Sequence, residues 1–282
     1  MFDEIRSYRS QLTGFALVWT TCVFGLFLLV GCGRNEADQS KPSREVTVKA
    51  EPTVLALVFC DLTGSMDSSS VRMSAEAVAN ILLSLPPGSQ FEIFPIDFSG
   101  RIAPIEGTTE GKPKKPSEVG KIKALNKDQA IRVGNQLLDL YGRKFAPHPS
   151  RNSCIVQTLE LADAIFKQYR AKADQEYEFE IVYVSDMLED CVNSSLGAAS
   201  FETASFSDVM KEVSHFEPKV DIGFARLSII IPARPYVENT RSSLTDAQLK
   251  EVWEKIFRKV GFDDDKISEW NFLSTVPARF SR

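Results

Sequence analysis

Several absences narrow the field before any motif is considered. The 282-residue chain has only two histidines, His148 and His215, and its five cysteines form no CxxC pair. Neither histidine has metal-ligand spacing to the other or to a cysteine, so there is no basis for a structural zinc site. No Gly-x-Ser-x-Gly elbow occurs and neither histidine has an evident acidic partner, which leaves serine-nucleophile chemistry without support. No Walker-type phosphate loop is present, and no internal repeat is visible. The formal charge is −5, and the sole short basic stretch is GKPKKP at 111–116. That balance gives no electrostatic footprint for nucleic acid.

Apolar residues make up 43% of the chain and charged residues 25%, enough for one sizeable core. The N-terminus is organised differently from the rest. Arg6 and Arg9 precede an uncharged, mostly apolar run from Leu12 to Val30, the layout of a secretory signal. Asp3 and Glu4 dilute the positive start. The run ends in Leu29-Val30-Gly31-Cys32, which resembles the lipobox of bacterial lipoprotein signal peptides. The resemblance implies a signal peptide over residues 1–31, cleavage before Cys32, and acyl chains such as palmitate on Cys32. Each buried CH₂ of such a chain contributes about 0.8 kcal/mol to membrane binding. An uncleaved transmembrane anchor is the alternative, since about 20 apolar residues can span a bilayer. Residues 32–50 are polar and aperiodic and read as a solvated tether. The expected location is the cell envelope, lipid-anchored. Gly33 in place of Asp after the cysteine points to the periplasmic side of the outer membrane if the organism is Gram-negative.

Further along, apolar runs alternate with helical periodicity. Val54–Cys60, Phe91–Ile96, Phe179–Val184 and Leu227–Ile231 read as strands, the first as one buried on both faces. Pro95 suggests that the second strand lies at an edge or carries a bulge, and 101–105 could return as a short antiparallel strand. Residues 107–119 read as a loop. Helices are expected from Val71 to Leu85, Asp128 to Tyr141, Ile155 to Tyr169, Phe201 to His215 and Leu244 to Val260, the last with Thr245 as its cap. Strands alternating with helices predict an α/β domain with a mainly parallel central sheet, helices on both faces and one antiparallel edge strand. Ligands of such sheets bind beyond the carboxyl ends of the strands. The segments to inspect are therefore those after Cys60 and Val184.

Asp61, Thr63 and Ser65 follow the first strand. One carboxylate and two hydroxyls at this spacing can converge from a tight loop, and oxygen-only ligands favour a hard cation. They could equally cap the next helix, although capping does not account for a second acid, Asp186, after another strand. The run VLALVFCDLTGSM resembles the first strand and metal-site loop of the von Willebrand factor type A family, whose motif is Asp-x-Ser-x-Ser, with Thr63 at the first serine. Asp97-Phe98-Ser99 resembles the family's second-strand end. Ser153-x-Ile155-x-x-Thr158-Leu159-x-x-Ala162 resembles the family's Thr-x-Ile-x-x-Ala-Leu-x-x-Ala helix start, with Ser153 standing where the family has its metal-ligating threonine. Val182–Asp186 resembles the fourth strand with its metal-site acid, although Met187 stands where the family has glycine. The Trp253…Phe257…Gly261-Phe262 helix end also resembles bacterial members.

This resemblance spans residues 53–262, and the domain is expected over 51–262 with a C-terminal extension over 263–282. It implies a Mg²⁺ site (or one for Ca²⁺ or Mn²⁺) held by Asp61, Thr63, Ser65, Ser153 and Asp186, with Thr158 the substitute hydroxyl if the register differs. It further implies an open coordination position that an acidic side chain of a partner protein fills. The chain thus reads as a binding module rather than an enzyme. Glu189 and Asp190 offer the sole candidate base for an alternative metal-dependent hydrolase or an accessory subunit of an enzyme complex, but read more simply as a solvated acidic loop. Cys154 and Cys191 flank the site segments; they either form a disulfide in an oxidising compartment or stand as free thiols beside Cys60.

Overall fold

In the structure, a computed structural model, the described residues are 53–63, 66, 68–96, 102–146, 153–172, 176–189, 191, 201, 204–232, 244–267 and 270–272. The signal-like run, Cys32, the tether, Ser65, residues 97–99, His148 and Asp190 lie outside them. No helix among the described residues is long and apolar enough to cross a membrane.

The strands are β1 (Thr53–Asp61), β2 (Gln90–Ile96), β3 (Ile105–Thr108), β4 (Tyr177–Val184), β5 (Arg226–Ile231) and β6 (Trp270–Phe272). They form one sheet in the order β3-β2-β1-β4-β5-β6. All neighbours pair parallel except β2 with β3. The helices are α1 (Ser68–Ser84), α2 (Val119–Leu140), α3 (Ile155–Arg170), α4 (Phe206–His215), α5 (Asp246–Lys259) and α6 (Asp264–Ile267). This is the mainly parallel sheet with an antiparallel edge strand that the strand–helix alternation predicts.

The two-residue period of β1 explains how the sheet is covered. Leu55, Leu57 and Phe59 face one core with α3, α4 and α5, while Val54, Ala56, Val58 and Cys60 face another with α1 and α2. Seven of these side chains project from one strand into two cores, so β1 has no solvent face and can be a continuous apolar run. Each large side chain buried there contributes about 2 kcal/mol.

Several elements differ from expectation. β2 is an interior strand, not an edge, because β3 pairs with it. That pairing stops at Ile93↔Ile105, so Pro95 lies beyond the part of β2 that β3 covers and costs no bond in that ladder. The antiparallel return occupies Ile105–Thr108 rather than 101–105, which takes Gly107 and Thr108 out of the expected loop. Helix α2 starts at Val119, nine residues before the apolar periodicity becomes clear at Asp128, because its first turns pack little and are mostly exposed. α4 begins at Phe206, with Ser205 accepting a hydrogen bond from the Asp208 amide as its cap. Thr245 caps α5 as expected, in a reciprocal capping box with Gln248. The sheet also continues past Phe262: α6 and β6 come from residues read as a C-terminal extension, and β6 pairs with β5.

Candidate functional site

The parallel register sets the site. Cys60 lies opposite Val184, so the residues that follow, Asp61 at the last position of β1 and Ser185 just past β4, lie side by side at the carboxyl ends of these strands. Asp61 is fully buried. Its Oδ1 accepts from the Thr63 amide at 2.9 Å and the Thr63 hydroxyl at 2.7 Å. Its Oδ2 accepts from Ser185 Oγ at 2.9 Å and Ser153 Oγ at 3.2 Å. The Thr63 and Ser153 hydroxyls are themselves 2.7 Å apart. One carboxylate and three hydroxyls from three separate segments thus meet at a buried point beyond the carboxyl ends of β1 and β4.

Burial pushes the Asp61 carboxyl above the ordinary carboxylate range. The hydrogen bonds from Thr63, Ser185 and Ser153 act in the opposite direction. A group so placed gains from any positive charge brought beside it, since that charge offsets the lost hydration.

Ser153 rather than Thr158 joins Asp61. Thr158 lies one turn into α3, where its Oγ1 donates to the Ile155 carbonyl at 2.6 Å and sits 2.7 Å from the Tyr183 hydroxyl. Asp186 follows Ser185 directly and is nearly buried; its Oδ1 accepts from the Leu188 amide at 3.0 Å. Ser65 lies outside the described residues. Among those described, no group of three or more His, Cys, Asp or Glu side chains gathers round one point. The donor set is therefore rich in hydroxyls, a chemistry suited to Mg²⁺, Ca²⁺ or Mn²⁺ and not to zinc or copper.

Three features of the β4–α4 connection were not apparent from the sequence. The first is Ser185, whose hydroxyl holds Asp61 and also accepts from the Met187 amide at 2.9 Å; its position between a strand end and an acid was the available signal. The second is Met187, which has φ 60°, the left-handed region that favours glycine. Its side chain is fully buried and its carbonyl accepts from Trp253 Nε1 at 2.7 Å, tying the loop to α5. The third is Glu189. It is not part of a solvated acidic loop but is buried, and its Oε2 accepts from the Val156 amide at 3.0 Å in the first turn of α3. Helix N-termini leave amides without intrahelical acceptors, and a carboxylate from another segment satisfies one here. Beside it, Cys154 and Cys191 are disulfide-bonded, with Cα atoms 4.7 Å apart. Cys60 is a free, buried thiol.

Fold and site together define a doubly wound α/β domain with a buried carboxylate–hydroxyl cluster at the carboxyl ends of its two central strands. No family profile matches the sequence, and no curated protein matches it. Solved structures similar to the chain include the manganese-loaded TRAP protein of Plasmodium vivax, at 10% identity and TM-score 0.33, covering 74% of this chain and 73% of that one. A von Willebrand factor type A protein from Catenulispora acidiphila is 12% identical, with TM-score 0.31, over 74% of this chain and 43% of that one. The pilus adhesin SpaC from Lactobacillus rhamnosus GG, in its open conformation, is 10% identical, with TM-score 0.41, over 83% of this chain and 29% of that one. The chain thus spans less than half the length of the latter two.

Proposed function

We propose that this protein is a lipid-anchored cell-envelope module of the von Willebrand factor type A kind, which binds a divalent cation and docks an acidic side chain of a partner protein through it. The observation that carries the reading is the convergence of the Thr63, Ser153 and Ser185 hydroxyls on the buried Asp61 carboxylate. Asp61, Thr63, Ser153 and Asp186, with Ser65 from the same loop, would hold the ion. Bound there, the ion would supply a Lewis-acidic centre with charge left over for an external carboxylate. The residues of the chain itself provide the rest: hydroxyl oxygens as neutral ligands, burial that excludes competing water, and hydrogen bonds that fix the orientation of Asp61. Lipid on Cys32 would keep the domain at a membrane, on the periplasmic side of the outer membrane in a Gram-negative cell.

The hydrolase alternative has less support. It needs a general base at the cation, and the Glu189 carboxylate is buried and engaged with the first turn of α3.

The test is cation-dependent stability. Wild-type protein should gain several degrees in melting temperature on going from chelator to millimolar Mg²⁺ or Mn²⁺, since a ligand of the native state stabilises by mass action. Asp61→Ala should lose that gain. An equal gain in the variant would refute the reading.

A further inference from the structure

The end of the sheet opposite the site carries a charge pattern that the cation reading does not use. Between residues 111 and 132 there are seven Lys and Arg against two acids, a net +5 in a chain of net −5. Lys112, Lys114, Lys115, Lys121, Lys123 and Lys127 are all exposed. One of the two acids, Glu118, turns inward on its own loop, its Oε2 accepting from the amides of Lys114 and Lys115. The lysines thus present their charge outward from a loop whose backbone is fixed.

Topology places this region. β3 runs antiparallel to β2 and ends with Thr108 opposite Gln90, the first residue of β2. The loop after it is held there by Gly88 N to Glu110 O at 3.1 Å and by Thr109 N to Ser89 O at 2.8 Å. Gln90 in turn lies opposite Leu55, near the start of β1. The lysine-rich loop and the first turns of α2 therefore sit at the amino ends of the parallel strands. The chain enters the domain at this same end, through Thr53, about 20 residues after Cys32. At about 3.4 Å per residue those residues reach at most about 70 Å.

Two exposed apolar side chains, Val119 and Leu125, fall in the same stretch as the lysines. The exposed large hydrophobics of the described residues are Leu83, Val119, Leu125, Ile131 and Leu161. Leu83 is in the last turn of α1, which packs on α2, and Val119, Leu125 and Ile131 are on α2 itself. Lysines with interspersed apolar residues suit an interface that is anionic at its surface and apolar beneath.

We propose that the 111–118 loop and the amino-terminal half of α2 dock on an anionic phospholipid surface, turning the carboxylate–hydroxyl end of the sheet away from the membrane. The acyl chains would hold the domain near the membrane but leave its orientation open, and each lysine close to an anionic surface adds to the attraction. The proposal draws on the N-terminal anchor reading for proximity to a membrane and is independent of the cation.

The test is amine-reactive footprinting of the full chain on phosphatidylcholine vesicles, with or without about a third phosphatidylglycerol, in the presence of chelator. Phosphatidylglycerol should cut labelling of Lys114, Lys115, Lys121 and Lys123 several-fold. High salt should restore it, because the attraction is screened. Lys211 and Lys255, on helices of the other face, should be unaffected. The triple variant Lys114→Glu, Lys115→Glu, Lys121→Glu should lose the protection with an unchanged melting temperature. Equal labelling on both vesicles, or equal protection by a soluble polyanion such as heparin, would overturn the proposal. Flotation with neutral vesicles reports the anchor separately: a chain that does not float lacks it, and phosphatidylglycerol protection still decides the docking surface.

Discussion

At the scale of single residues, Met187 holds two opposed contributions. Its positive φ costs a non-glycine residue about 1–2 kcal/mol, while its buried side chain contributes about 2–3 kcal/mol. Met187→Ala keeps the strained backbone and loses the packing, so it should destabilise by about 2–4 kcal/mol. Met187→Gly loses the same packing and relieves the strain, so it should be the milder change by about 1 kcal/mol. Urea unfolding of the two variants checks this; alanine proving the milder substitution would show that the backbone carries no such strain. The departure from glycine was legible in the sequence, but its compensation was not, because nothing local indicates that this side chain reaches the core or that its carbonyl meets Trp253. The same limit applied to the choice between Ser153 and Thr158. Both fit a helix start, and what separates them is tertiary: Ser153 reaches Asp61 and Thr63, while Thr158 is engaged by the Ile155 carbonyl and Tyr183.

At the scale of elements, the loop after β4 is clamped to α3 twice, by the Cys154–Cys191 disulfide and by Glu189 on the Val156 amide. The disulfide closes a loop over a sequence separation of 37, worth about 4 kcal/mol in the chain-entropy picture. Glu189→Ala should cost about 1–3 kcal/mol by leaving a buried amide unmet, while Glu189→Gln keeps an acceptor and should cost less. The amide of Val156 should exchange faster with solvent in Glu189→Ala than in Glu189→Gln; identical exchange in both would mean that the carboxylate does not cap the helix.

The elements themselves were largely legible. The apolar runs of β1, β2, β4 and β5 and the periodic faces of α1, α3 and α5 all appear where the hydrophobic pattern puts them, because each is long enough to show a period. What escaped was short or weakly buried. β6 and α6 have three and four residues, and the first turns of α2 bury almost nothing. Such elements form because the sheet edge or a neighbouring helix accepts them, and tertiary context of that kind leaves little local signature.

At the scale of the whole molecule, the two cores lend the sheet different chemistry. The core under α3, α4 and α5 holds an aromatic array in which Tyr183 stacks on Phe59 with centroids 5.3 Å apart. Burial raises the Tyr183 phenol well above its ordinary range; burial and then the Glu92 carboxylate raise Tyr169. Native protein therefore holds these protons at pH values where unfolded chain releases them. Their stabilising contribution is intact below about pH 10, the unfolded tyrosine pKa, and is lost as pH rises through the higher folded values. Stability should fall above pH 10, and Tyr183→Phe should flatten part of that fall. Unfolding free energies measured from pH 8 to 11 check this; parallel curves for the two proteins would mean that Tyr183 ionises freely in the fold.

The Cys154–Cys191 bond also makes the centre of the molecule a closed covalent ring, since α3 and β4 lie between its two ends. A backbone cut inside that ring, for example by trypsin after Lys167, Arg170 or Lys172, opens the chain without separating it. The nicked protein should run as one species without reductant and as two with it. A protein built this way keeps its site segments joined after a protease strike between α3 and β4.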